Sequence, residues 1–231
     1  RFPGSVIKAS YAASIGKSAL SDADCKAMLP LVSRLNRISV REPEAAGLIE
    51  KLTGNRPEVV VDPTILAGKE LFAPIVKSLH DRPYVLYYQL ARKDNRALSL
   101  ADKIARYKNL DLVGLSGNRG LQIGKSHDVI CDAGPEEFVS LIAGADYVVT
   151  DSFHGTVFSL LFHRPFASIP KATRGGRITN LLDIAGLRNR YTDRFDRDIL
   201  LKDIDWGNVD NSLAREREAS EHFVTSIKGD F

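Results

Sequence analysis

Runs of β-branched and aromatic residues alternate with helix-period patterns along most of the chain, and that alternation confines it to few folds. A strand with its loop is read over 5–15, then a polar-started helix over 22–36 and the strand Arg37-Ile38-Ser39-Val40. A helix over 44–52, closed by Gly54, leads to the strand Val59-Val60-Val61, which ends on Asp62-Pro63-Thr64. Strands separated by helices and punctuated by Gly, Pro and Asp imply parallel pairing. A looser stretch over 66–83 carries Gly68, Pro74 and Pro83, and beyond it the alternation restarts. Tyr84-Val85-Leu86-Tyr87-Tyr88 is apolar throughout, as a strand covered on both faces must be. A helix over 95–107 comes next, with Leu98, Ala101, Ile104 and Ala105 on one stripe, then a strand over 111–115. Gly134-Pro135-Glu136-Glu137 opens the next helix, with Pro in the first turn and acids suited to the helix dipole. The strand Tyr147-Val148-Val149, a short strand over 166–169, a helix over 178–185, a charged irregular stretch over 190–205 and a helix over 212–227 complete the chain.

Two such runs in succession predict an α/β protein of two Rossmann-like units with parallel sheets, a GT-B-like arrangement. Residues 1–70 form the first unit, 71–83 a linker, 84–205 the second unit, and 206–231 a helix that could pack back on the first. The first unit is short of strands and the chain opens on Arg1-Phe2-Pro3-Gly4, so the expectation is a piece of a longer protein whose N-terminal part is missing. Hydrophobic residues at 44% and charged residues at 26% fit an ordinary globular chain. A net charge of +3, without basic-aromatic clustering, argues against nucleic acid as a partner. Cys25 and Cys131 form neither a CxxC pattern nor a disulfide framework, which fits a reducing compartment. Every apolar run is interrupted well before the roughly 18 residues that a spanning helix needs.

The junction Thr150-Asp151-Ser152-Phe153-His154-Gly155-Thr156 concentrates the chemistry. It sets a carboxylate, hydroxyls and an imidazole where a strand's carboxyl end meets a helix N-terminus, the edge at which open α/β sheets bind ligands and helices favour anions. His154 carries the one ring there able to move a proton near neutral pH. Gly155 could take a positive φ or bring the backbone close to a ligand. The bland alternative makes His154 a helix-start residue whose ring caps a carbonyl or fills the sheet edge. Arg41 ends the strand before Glu42-Pro43 and could clamp a carboxylate or phosphate, or simply pair with Glu42 or Glu44. Asp62, before Pro63, could bind a ligand hydroxyl or start a turn. Lys171, Arg174 and Arg177 flank Gly175-Gly176 in a loop that could wrap a phosphate, though it lacks the Walker A spacing and could equally be solvated surface. Glu136 or Glu137 could hold a ribose, but dipole complementarity explains them as well. His80, His127, His163 and His222 have no acidic cluster or i,i+4 partner nearby, and no metal site is read.

The succession Ser10-Tyr11-Ala12-Ala13-Ser14-Ile15-Gly16, Ile38-Ser39-Val40-Arg41-Glu42, Val61-Asp62-Pro63-Thr64, Gly134-Pro135-Glu136-Glu137-Phe138 and Thr150-Asp151-Ser152-Phe153-His154-Gly155 resembles the polysaccharide pyruvyl transferase family. The tail Arg217-Glu218-Ala219-Ser220-Glu221-His222-Phe223 is also similar, so the resemblance spans nearly the whole chain. It implies a GT-B-like fold and transfer of the pyruvyl group of phosphoenolpyruvate onto sugar hydroxyls of cell-surface glycans. One departure counts: several characterised members carry an Arg two residues before the motif histidine, where this chain has Ser152.

The implied site has His154 as general acid, Asp151 or Asp62 serving the sugar hydroxyl, and Arg41 on the donor's carboxylate. Ser152, Gly155, Thr156, Lys171, Arg174, Arg177 and Glu136 complete the substrate-binding set. No metal and no cofactor are demanded; phosphoenolpyruvate is a donor substrate, and the partners are that donor and a glycan acceptor. The resemblance further implies a cytoplasmic enzyme, with contact to a lipid-linked glycan at the inner face of the membrane. Two other readings stay open: a GT-B glycosyltransferase that uses a nucleotide sugar, and an inactive glycan-binding fragment.

Overall fold

The computed structural model describes residues 6–17, 19–90, 95–116, 128–171 and 175–228. Its packing divides the chain into two units, Arg1–Leu66 with Asn211–Phe231, and Ala67–Asp210. Both are α/β with parallel sheets.

In unit 1, β1 (Ala9–Ala13), β2 (Arg37–Val40) and β3 (Glu58–Val59) lie side by side in that order, all parallel. The crossovers are α1 (Asp22–Val32) and α2 (Pro43–Thr53). Ser21 and Asp24 start α1 with a reciprocal capping box, which satisfies two end N–H groups at once. Val40, Ala45, Ala46 and Ile49 form the core between β2 and α2. Near the end of β1 the register shifts at Ala12, whose φ is 52°. Ser39 steadies that bulge by accepting the Ala12 N–H at 3.1 Å and donating to the Ser10 carbonyl at 3.1 Å. The last helix, α9 (Trp206–Lys228), supplies Phe223 to a small cluster with Ala12 and Val60. Ser220 of α9 accepts the Val61 N–H at 2.9 Å. Val61 therefore leaves the ladder, and β3 lies earlier than the strand expected over 59–61.

The stretch expected to be loose holds regular structure as far as Ile75, while 76–83 carries neither helix nor strand. Helix α3 (Pro63–Phe72) runs into a 3-10 turn, Ala73–Ile75, and is kinked at Gly68 with φ 72° and ψ 170°, a backbone shape that glycine alone adopts readily. A glycine inside a helix and Pro74 just after it hide the pattern from a periodicity reading.

Unit 2 holds β4 (Tyr84–Tyr88), α4 (Arg96–Lys108), β5 (Asp111–Leu115), β6 (Asp128–Ile130), α5 (Pro135–Gly144), β7 (Tyr147–Thr150), α6 (Phe153–Leu161), β8 (Phe166–Ser168) and α7 (Gly176–Ile184). The strand order is β6-β5-β4-β7-β8, all parallel. The chain starts at the central β4, builds outward to β6, then returns to β4's other side with β7. That reversal places a topological switch point between the carboxyl ends of β4 and β7. One face is packed by α4, which buries Leu100, Ala101 and Ile104 completely against Val85, Tyr87 and Val149. Leu100 takes the central place expected for Leu98, which is partly buried. On the other face Phe138 of α5 meets Tyr88 and Phe158 of α6 edge-on, at 5.1 and 5.8 Å between ring centroids.

The charged stretch over 190–205 is irregular for most of its length, as expected, but holds one short helix. A 3-10 turn, Arg188–Arg190, precedes α8 (Arg197–Leu200). Arg190 is buried and donates to the carbonyls of Leu200 at 2.7 Å and Lys202 at 2.5 Å, closing the C-terminal end of α8. Among the described residues no helix is long and apolar enough to cross a membrane.

Candidate active site

At the switch point of unit 2, β7 ends on Thr150 and the chain turns through Asp151 into α6. Ser152 is the N-cap of α6: its Oγ accepts the Gly155 N–H at 3.3 Å, and its own N–H goes to the Thr150 hydroxyl at 3.0 Å. His154 stands on the first turn of α6 and is exposed, its ring edge-on to Phe153 at 5.4 Å. The imidazole therefore sits at a helix start open to solvent, rather than filling the sheet edge.

Asp151 is only 2% exposed, yet both its oxygens are engaged. Oδ1 accepts the Leu90 N–H at 2.7 Å, and Oδ2 lies 3.4 Å from the Lys171 ammonium. The main-chain N–H of Lys171 donates to the Tyr191 hydroxyl at 3.1 Å, which fixes the start of the basic loop. Arg177 lies with its guanidinium 5.9 Å from the Phe153 ring centroid, a cation–π contact. Two of the three cations read from the sequence thus converge on the 151–154 turn; Arg174 lies outside the described residues.

Two expected ligand contacts turn out to be packing. A methyl group on Gly155 would come within 2.6 Å of the Thr150 Oγ1 and 2.9 Å of its Cγ2, so the glycine lets α6 lie flush on the end of β7. It does not take a positive φ. Thr156 is fully buried, with its hydroxyl 3.0 Å from the Ser152 carbonyl and 2.8 Å from the Ser168 hydroxyl, tying α6 to β8. Glu136 points to solvent and pairs with Lys77 at 3.2 Å, while Glu137 accepts the Gly134 N–H at 2.6 Å as a helix cap.

Sequence reasoning passes over Tyr88 as a site residue, although it ends β4 opposite Thr150 at the switch point. The phenol is half-buried and near Ser152 and Asp151; burial raises its pKa, Ser152 opposes the shift and Asp151 adds to it.

In unit 1, the structure joins Arg41 and Asp62, separate candidates in the sequence, in an ion pair at the ends of β2 and β3. Asp62 also accepts the Thr64 N–H at 2.9 Å, and the Arg41 Nε lies 3.8 Å from Glu42. Glu42, one of the two partners read for Arg41 in the sequence, is buried and accepts the Ser14 hydroxyl at 2.7 Å. Arg41 thus braces strand ends between two carboxylates, a balance that leaves it poorly suited to an anion. Among the described residues no group of three or more His, Cys, Asp or Glu is placed to hold a metal ion.

A family model, Polysaccharide pyruvyl transferase, matches residues 4–170 and so takes in both strand-end clusters. The chain belongs to the polysaccharide pyruvyl transferase family. No curated protein matches it. Among solved structures it is similar to the UDP-GlcNAc 2-epimerase from Methanocaldococcus jannaschii, at 12% identity and TM-score 0.54, covering 90% of this chain and 63% of that one. It is likewise similar to the UDP-N-acetylglucosamine 2-epimerase from Rickettsia bellii, at 13% identity and TM-score 0.55, covering 89% and 62%. The chain thus spans less than two thirds of those proteins. At such identity the likeness establishes the fold alone, an α/β architecture of the GT-B kind.

Proposed function

We propose that this chain carries the donor site of a transferase that moves the pyruvyl group of phosphoenolpyruvate onto sugar hydroxyls of a cell-surface polysaccharide or its precursor. Family membership supports the reaction class, and the observation that carries the site is the exposed His154 imidazole on the first turn of α6, in a turn where Lys171 reaches Asp151 and Arg177 lies over Phe153. In the proposed reaction His154 gives a proton to the methylene carbon of phosphoenolpyruvate, and the carbon bearing the phosphate becomes electron-poor. A sugar oxygen bonds to that carbon and releases its proton, which restores the imidazolium. A second hydroxyl of the same sugar then displaces phosphate and yields the ketal, its proton leaving with the phosphate. Lys171, Arg177 and the dipole of α6 hold the charged phosphate of the bound donor.

Asp151 takes a different part from the catalytic one expected of it. Buried and held by two partners, it positions Lys171 and the loop after β4. Phosphoenolpyruvate is an intracellular metabolite, which supports a cytoplasmic reaction, and a lipid-linked glycan at the inner membrane face is the proposed acceptor.

The fold likeness to UDP-sugar enzymes supports a second reading, a nucleotide-sugar enzyme. Thermal shift with phosphoenolpyruvate and with UDP-N-acetylglucosamine separates the two. The first reading expects stabilisation by phosphoenolpyruvate, and a His154→Ala variant that keeps its circular dichroism but loses transfer. Stabilisation by the nucleotide sugar alone, or normal turnover in that variant, would reject it.

A further inference from the structure

Tyr88 occupies the side of the switch point that the proposed chemistry leaves unassigned. It ends β4 in register with Thr150, and its ring is braced edge-on by Phe138 at 5.1 Å between centroids. The loop after it is tied down by the Leu90–Asp151 bond. Its neighbour Ser152 already accepts the Gly155 N–H. A serine hydroxyl has one proton to give, and a phenol has one proton and two lone pairs. Where Ser152 donates to the phenol oxygen, the tyrosine keeps its own proton to give to a ligand. Burial holds that phenol in its protonated form well beyond neutral pH.

We infer that Tyr88 is a ligand-binding residue of this site, donating a hydrogen bond to a phosphate oxygen of the molecule bound beside His154. The inference rests on the reading that the crevice receives a phosphorylated donor, and it extends that reading by adding a neutral hydrogen-bond donor to the two cations. A neutral hydroxyl suits a position facing Asp151, where a further cation would be drawn to the carboxylate instead of to the ligand. A hydrogen bond to a charged oxygen is strong enough that its loss weakens binding roughly ten- to a hundredfold.

The test is Tyr88→Phe, which removes one oxygen and keeps the ring against Phe138. Dissociation constants of phosphoenolpyruvate, inorganic phosphate and UDP-N-acetylglucosamine are measured for the wild-type chain and the variant, together with the melting temperature of each without ligand. A second readout tracks the Tyr88 ring carbon bearing the hydroxyl by NMR during each titration. The expected result is an unchanged unligated melting temperature, at least about tenfold weaker binding of a phosphorylated probe, and a Tyr88 resonance that moves only when that probe binds. If the nucleotide sugar alone binds the wild type, the donor reading fails, while the same comparison still decides the role of Tyr88. Equal affinities in wild type and variant would overturn the inference. So would a weaker variant that also melts lower with an unmoved resonance, or a wild type that binds none of the three probes.

Discussion

The carboxylate of Asp151 accepts the main-chain N–H of Leu90 at 2.7 Å and so fastens the loop after β4 to the loop after β7. These two loops border the switch point, and the same carboxylate reaches Lys171 with its other oxygen. One buried side chain therefore sets the spacing of three segments that meet at the candidate site.

Mutation can separate the work of the two oxygens. Asp151→Asn keeps an acceptor for Leu90 and gives up the charge that holds Lys171. Asp151→Ala gives up both and should cost about 1–3 kcal/mol in urea unfolding, with the asparagine variant losing less than half of that. Equal losses in the two variants would assign the stabilisation to the ion pair instead.

Gly155→Ala should destabilise unit 2 by about 1–3 kcal/mol, because the added methyl meets the Thr150 side chain and α6 must shift away from β7. Thermal unfolding checks the cost. An unaltered midpoint would show that the helix has room to move.

Replacing Lys171 or Arg177 by Met should raise KM for phosphoenolpyruvate about tenfold each while kcat changes far less, since each cation acts on the bound anion through charge. Affinity in the wild type should fall with added salt, and more weakly in the variants. Lys171→Met leaves the buried Asp151 uncompensated, so Lys171→Met/Asp151→Asn should recover stability but not affinity. A fall in kcat with KM unchanged would place the lysine in the chemical step.

Alkaline pH should unfold the chain through its buried tyrosines. Burial pushes Tyr84 up to about 12, and Tyr147 is raised in the same way. A raised folded-state value means the neutral phenol is the stable form, so this contribution is complete below about 10, the unfolded value. It declines as pH rises from there through about 12 for Tyr84. Melting temperature against pH should bend downward in that window, and Tyr84→Phe should flatten part of the bend.

Ser220→Ala should loosen α9 from the unit 1 sheet. It strips the buried Val61 N–H of its acceptor, at about 1–3 kcal/mol. Amide exchange at Val61 should accelerate in the variant, and unchanged protection there would contradict the role.

The parallel strands are legible in the chain because their residues are apolar on consecutive positions, and the helix start at Ser152 because its neighbours are polar where the strand stops. Position 154 is likewise visible as a ring at a strand-to-helix junction. The relationships that escape depend on distance along the chain. His80 pairs with Asp111, and His163 pairs with Asp210 and stacks on Trp206 at 5.0 Å, yet no local spacing links either pair. Arg41 meets Asp62, and Asp151 meets Leu90, only because parallel strands bring their carboxyl ends to one edge. Tyr88 looks like one more core residue of an apolar strand until the strand order puts it beside the reversal. Thr156 and Gly155 mislead for the opposite reason: polar or small residues beside a candidate ligand site read as contacts, while here they serve the seam between α6 and its strands.

Arg190 is a guanidinium answered by neutral groups. It donates to the Leu200 and Lys202 main-chain oxygens and meets the Tyr147 phenol, with no carboxylate among these partners. Acidification, which disarms ordinary ion pairs by protonating their negative half, has nothing to disarm there. This corner should stay clasped at pH values that protonate the carboxylates of ordinary surface bridges.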